Sequence, residues 1–223
     1  MSPINRNTLG LLVNTRLAGY AALAGAALAA PAVANAAIIY SGPISIPITA
    51  NIDGLYINFV TGANANATVA GWDFNPYSSS GAATGPLSFF TSAVAGHVNN
   101  VVGVGTIATA LTAGTLIGPA STYATTGIVN TTGTAFQTTQ NIAYVGIRFQ
   151  NEANANLVTY GWALLSTSAT NAGFPATLIG YAYEDSGAGI LAGAVPEPST
   201  AALLGVMAAG AFGVRAWRKR KAA

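Results

Sequence analysis

The stretch "AYVGIRFQNEANANLVTYGWALL", Ala143 to Leu165, decides how this chain folds. In its first part, Ala143 to Gln150, Val145, Ile147 and Phe149 alternate with Tyr144, Arg148 and Gln150. Its second part, Leu157 to Leu165, alternates again through Val158, Tyr160, Trp162 and Leu164. Successive side chains of a strand leave on opposite faces, so a period of two in β-branched and aromatic residues predicts half-buried strands. Between the two parts lies "NEANAN", small and polar, which predicts a hairpin loop.

The same pattern recurs outward from this hairpin. "GLYINFV", Gly54 to Val60, places Leu55, Ile57 and Phe59 on one face. "ATLIGYAYE", Ala176 to Glu184, does so with Ile179, Tyr181 and Tyr183. Clusters of Gly, Asn and Pro such as "NAGFPA" break the runs, and no stretch of the body shows a capped stripe of helical period. Many short strands between turn signals predict an all-β fold, a single antiparallel β-sandwich or jelly-roll-like domain. Two facing sheets would bury the Leu55/Ile57/Phe59 and Val145/Ile147/Phe149 faces against each other. Thr106 to Thr139 stands apart: 12 of its 34 residues are Thr and none is charged. It reads either as strands with a wet, hydroxyl-bearing face or as a long loop across one end.

Charge is scarce and unevenly placed. Of eight basic residues, Arg6 and Arg16 lie near the start and Arg215, Arg218, Lys219, Arg220 and Lys221 near the end, leaving Arg148 in between. The region from Ala37 to Ala194 also holds Asp53, Asp73, Glu152, Glu184 and Asp185, for a net charge of 1 − 5 = −4. A nucleic-acid surface needs clustered Lys and Arg, so nucleic acid is excluded as a partner despite the pI near 9.0. There are no cysteines, which removes disulfides, thiolate metal sites and Cys nucleophiles together.

The two ends carry addresses. Arg6 and Arg16 precede the uncharged, Ala-rich run Leu17 to Ala30 and then "PAVANAA", the order of parts in a secretory signal peptide over residues 1–36. Cleavage after Ala36 satisfies the small-residue rule through Ala34 and Ala36, and cleavage after Ala34 is the rival. The other reading of this segment is a permanent membrane anchor. At the far end, Ala201 to Trp217 is 17 residues long, enough to cross a hydrocarbon core as a helix, with Arg215 near its end and Trp217 as an interfacial anchor. The run Arg218, Lys219, Arg220 and Lys221 then stays in the cytoplasm, which puts the preceding body outside. Pro196 and Pro198 cannot lie inside that helix and make Val195 to Ser199 a stiff, extended stretch.

Pro196, Glu197, Pro198, Ser199 and Thr200, the short apolar helix and the basic tail together resemble the PEP-CTERM sorting signal of exported proteins of Gram-negative bacteria. The resemblance covers residues 195–223 and divides the chain into a signal peptide (1–36), a β body (37–194) and a sorting signal (195–223). It implies that the chain is the substrate of an exosortase, a membrane enzyme that cuts near the Pro-Glu-Pro triplet. The inner membrane would hold the precursor, and exopolysaccharide and the cell-surface or biofilm matrix would be its later surroundings. The last part of the body, from Tyr144 onward, also resembles the body of many PEP-CTERM proteins, a likeness that brings no activity with it.

The chemistry available to the body itself is limited. His97 is the only histidine, and no G-x-S-x-G motif accompanies it, so it reads as a bystander rather than a catalytic base. Histidine metal sites fail on number, and neither "DFN" at Asp73 nor "ED" at Glu184 matches a calcium loop. No catalytic residue, metal ligand or cofactor is expected. Tyr56, Trp72, Tyr77, Tyr160, Trp162, Tyr181 and Tyr183 suggest a carbohydrate reading, with Trp72, Tyr160 and Trp162 the foremost candidates for stacking on a sugar, against the plainer reading that Trp72 and Trp162 are core residues. Three functions follow in order: a non-enzymatic exported surface or matrix protein, a carbohydrate-binding module, and a secreted hydrolase that would need two carboxylates across a cleft.

Overall fold

A computed structural model describes residues 37–81, 85–91, 98–124, 127–138, 142–169 and 172–196. The expected signal peptide, His97, the apolar stretch Ala201 to Trp217 and the basic tail lie outside the described residues. Among the described residues no helix is long and apolar enough to cross a membrane.

Three long strands form the centre: β12 (Ile142–Asn151), β13 (Leu157–Ser168) and β14 (Gly173–Glu184). β12 and β13 pair antiparallel without a break, from Ile142 opposite Ser166 to Asn151 opposite Leu157. The hairpin loop expected at "NEANAN" is there. Asn151 Oδ1 accepts the Ala153 N–H at 3.0 Å and opens a single 3-10 turn, Glu152–Asn154. Ala155 and Asn156 then turn left-handed at φ 50° and 60°, a conformation that Asn tolerates better than most residues. β1 (Ile38–Tyr40) and β2 (Ile46–Ile48) both pair with β14 at one edge, and β7 (Asn100–Val101) pairs with β12 at the other.

A second sheet runs in the order β5 (Asn75–Ser78), β6 (Leu87–Phe90), β11 (Ile128–Asn130), β9 (Ile107–Ala108) and β8 (Gly103–Val104). Its pairs are antiparallel except β11 with β9. Two small ribbons complete the set: β3 (Tyr56–Ile57) with β4 (Asn64–Ala65), and β10 (Leu116–Ile117) with β15 (Ile190–Leu191). The expectation of a mainly β body in antiparallel sheets is met. The Thr-rich segment divides into short strands joined by loops and one short helix, α1 (Ala135–Thr138), whose Phe136 is fully buried.

One core draws on both large sheets. Val145, Ile147 and Phe149 from β12 and Leu165 from β13 share it with Leu87 and Phe89 from β6 and Val129 from β11. Leu55, Ile57 and Phe59 enter the same core, as their alternation predicted. Phe59 stacks on Tyr181 with ring centroids 4.4 Å apart and meets Phe149 edge-on at 5.6 Å. Each such ring or branched side chain removed from water contributes about 1.5–3 kcal/mol.

The opposite face of the central strands is covered too. Tyr160 and Trp162 lie there with Ala182, beneath Leu111, Ile117, Ile190 and Ala192. The strands are therefore buried on both sides rather than half-buried, which explains the apolar residues at both parities of "YGWALL". A register shift changes β14 midway: Leu164 faces Gly180 and Leu165 faces Leu178, so Ile179 is the extra residue of a bulge. The bulge flips the alternation. Phe174, Ala176 and Leu178 face the main core before it, and Tyr181 and Tyr183 after it. Ile179 therefore does not continue the Tyr181/Tyr183 face as its spacing had suggested.

Candidate functional site

The sequence put forward Trp72, Tyr160 and Trp162 as sugar contacts, and the structure separates them. Trp162 is 2% exposed and Tyr160 9%. A ring so buried offers no face to a sugar, because β15 and residues 111–124 already cover that side of the sheet. The sugar reading is corrected for these two residues and equally for Tyr77, Tyr181 and Tyr183, and for Trp162 the plainer reading as a core residue holds. Trp162 instead ties the ends of the body together. Its ring lies 5.8 Å from Tyr40 of β1 and 5.3 Å, edge-on, from Tyr144 of β12. Its Nε1–H donates to the Ala194 carbonyl at 3.1 Å.

Trp72 stands elsewhere, half-buried beside an open groove of about 300 Å³. It meets Tyr56 edge-to-face at 5.5 Å and Phe90 at 5.8 Å. Tyr56, Tyr77 and Phe90 line the groove with Asp53, and Ile52 and Ile128 form exposed apolar lips. The floor is held rigid by Asn75, whose Nδ2 donates to the carbonyls of Asp53 and Leu55 at 2.8 and 3.1 Å. Trp72 is anchored through its carbonyl, which accepts from Asn99 Nδ2 at 2.6 Å. The sequence named Tyr56 and Tyr77 among its aromatic candidates but missed Phe90, and it could not place the three beside Trp72, since they come from three separate strands and no local spacing joins them.

The carboxylates are mostly engaged in holding the fold. Asp73 Oδ2 accepts the Phe59 N–H at 2.7 Å from a buried position. Burial raises its pKa to about 8, Glu152 nearby adds to the rise, and the Phe59 N–H opposes it. Glu152 accepts a hydrogen bond from Asn58 Nδ2. Glu184 is buried and takes the N–H groups of Ser186 and Ala188 at 3.0 and 2.6 Å. Asp185 takes the N–H of Ala37 at 2.9 Å. The groove itself is lined by one carboxylate, Asp53, where glycoside hydrolysis uses two. Among the described residues no three His, Cys, Asp or Glu side chains stand close enough to hold a metal ion. Arg148 is committed to structure: its Nε–H donates to Asn100 Oδ1 at 2.9 Å and its guanidinium lies 4.5 Å from the centre of the Tyr123 ring.

The last described residues leave the body abruptly. Ala194 is held by Trp162 and by its own N–H, which donates to the Leu191 carbonyl at 2.9 Å. Val195 and Pro196 are exposed. Glu197, Pro198, Ser199, Thr200 and the basic residues Arg218, Lys219, Arg220 and Lys221 fall outside the described residues.

Comparison with known proteins gives one match: the family model of the PEP-CTERM protein-sorting motif fits residues 194–221. No curated protein and no solved structure matches the chain. The motif marks an exported protein that an exosortase targets and that is anchored in the membrane before processing.

Proposed function

The chain carries a PEP-CTERM protein-sorting motif at residues 194–221, and from that premise we propose a non-enzymatic surface or matrix protein, released by cleavage near Pro196 to Pro198. A leader ending at Ala36 directs it out of the cytoplasm, and the helix from Ala201 holds it until the exosortase acts. The working part is then the β body, whose two large sheets across a shared core we read as a sandwich. One observation carries this reading: among the described residues Ala194 is the last held by a hydrogen bond to the body, and the motif match starts at that residue. A cut beyond Pro196 therefore costs the body none of its described packing. The non-enzymatic part of the proposal is supported by the engagement of Asp73, Glu152, Glu184 and Asp185 in fixing loops and strand ends. Intact mass of the protein from its host, with and without the exosortase, tests the proposal. A product ending between Val195 and Thr200 only when the enzyme is present is the expected result. A product retaining Arg218 to Lys221 in both strains would make the tail a permanent anchor.

The groove beside Trp72 favours a second reading, retention of a neutral polysaccharide. The partly open rings of Tyr56, Trp72 and Phe90 suit the C–H faces of a sugar, and the Asp53 carboxylate suits its hydroxyl groups. The body's net charge of −4 opposes acidic polymers. In affinity electrophoresis a neutral glucan should retard the protein, and Tyr56→Ala together with Trp72→Ala should abolish the retardation. Equal retardation of the double variant would remove the groove from consideration.

A further inference from the structure

The described body begins with a clasp between its two ends. The Ala37 N–H donates to Asp185 Oδ1 at 2.9 Å, and the Ala37 carbonyl accepts the Asp185 N–H at 3.1 Å. These two residues lie 148 positions apart. The turn that carries Asp185 is braced in its own right, since Asn154 Nδ2 from the β12–β13 hairpin donates to the Asp185 carbonyl at 2.9 Å. Ala37 is also the residue that follows one of the two bonds offered to a signal peptidase by the small-residue pattern.

We propose that export cleavage falls between Ala36 and Ala37 and that Asp185 is the counter-ion awaiting the α-ammonium group this cut creates. The inference rests on the signal-peptide reading above. Hydrolysis adds water across the amide: Ala36 departs as a carboxylate, and the Ala37 nitrogen becomes a primary amine that takes up a proton at neutral pH. The neutral N–H donor 2.9 Å from Asp185 is thereby replaced by a cation, and the hydrogen bond becomes charge-assisted. Cleavage after Ala34 would leave Asn35 and Ala36 ahead of this point, with the Ala37 nitrogen still an amide. The other ionisable groups on β14 agree in sign. Glu184, opposite Ile38, adds negative charge while its oxygens are held by Ser186 and Ala188. Tyr183, opposite Ile39, carries a phenol that burial keeps neutral to higher pH than usual. Arg148 is occupied by Asn100 and Tyr123.

The sequence makes the test clean. The only lysines are Lys219 and Lys221, so the body from Ala37 to Pro196 contains no side-chain amine. Protein isolated from its host is sized by mass, and the pH dependence of acylation is read on its N-terminal peptide. The expected chain starts at Ala37, with an amine that titrates at least about half a unit above the ordinary α-amino range of about 7.7–8.0. At pH 7.5 it should react about two- to threefold more slowly than in Asp185→Asn. A dipeptide Gly-Ser inserted between Ala36 and Ala37 keeps the carboxylate and moves the amine, and should restore ordinary titration even if Asp185→Asn folds poorly. A chain starting at Asn35 would overturn the cleavage assignment alone, and a retained leader would overturn the signal-peptide reading with it. A chain starting at Ala37 whose amine titrates identically in all three proteins would overturn the counter-ion and leave the export reading intact.

Discussion

Asp73 shows how one residue sets the response of the body to pH. Its carboxyl is buried against the Phe59 N–H, with a pKa raised to about 8 from an ordinary 3.8. In the unfolded chain it ionises near the ordinary value. Between the two values the folded state binds the extra proton, so stability falls as pH rises from about 4 to about 8, by up to about 1.4 kcal/mol per pH unit. Below that window the contribution is fully present, and above it the loss is complete. Urea titrations across this range should show the midpoint falling with pH, and Asp73→Asn should flatten the trend because an amide never ionises. In the sequence the residue stood out only as the start of "DFN", a poor match to a calcium loop, and as one of five scattered acids. What singles it out is its burial, 4% exposed against the Phe59 N–H, which no local spacing announces.

At the scale of the element, the β12–β13 hairpin was fully legible, because both its strands and its loop carry local signals: alternation, then Asn and Ala in the turn. The second covered face was not. Its cover comes from Leu111, Ile117, Ile190 and Ala192, isolated residues in irregular segments far apart in sequence. The same period of two marks an aromatic ring whether its face is wet or covered, which is why the sequence leaves Tyr160 and Trp162 open between sugar contact and core. Gly146 records how closely that cover approaches. A methyl group there would come within 2.6 Å of Val102 Cγ2 and 2.9 Å of Leu111 Cδ1. Gly146→Ala should therefore destabilise the body by about 1–3 kcal/mol through overpacking, measured by chemical denaturation. A loss below about 0.5 kcal/mol would mean the cover on this face gives way freely.

For the whole molecule, the C-terminal sorting motif was the most legible part, since charge placement and proline act without any tertiary partner. The groove was the least legible, since Tyr56, Trp72, Tyr77 and Phe90 meet only once the strands have paired. The pairing of β1 with β14 has a consequence for the order of events. Ile38 sits opposite Glu184, so the first strand to emerge from an export channel finds its partner only when nearly the whole body has followed. Loop closure over such a span is entropically costly and makes assembly slow. Until it happens, β1 and β2 have no partner strand and the edge of β14 stands open to other chains. On the topology proposed above, the apolar tail would reach the bilayer at about the moment the last pairing becomes available. A tether acting then would keep each late-closing body apart from its neighbours while it finishes, turning a sorting anchor into a brake on aggregation during export.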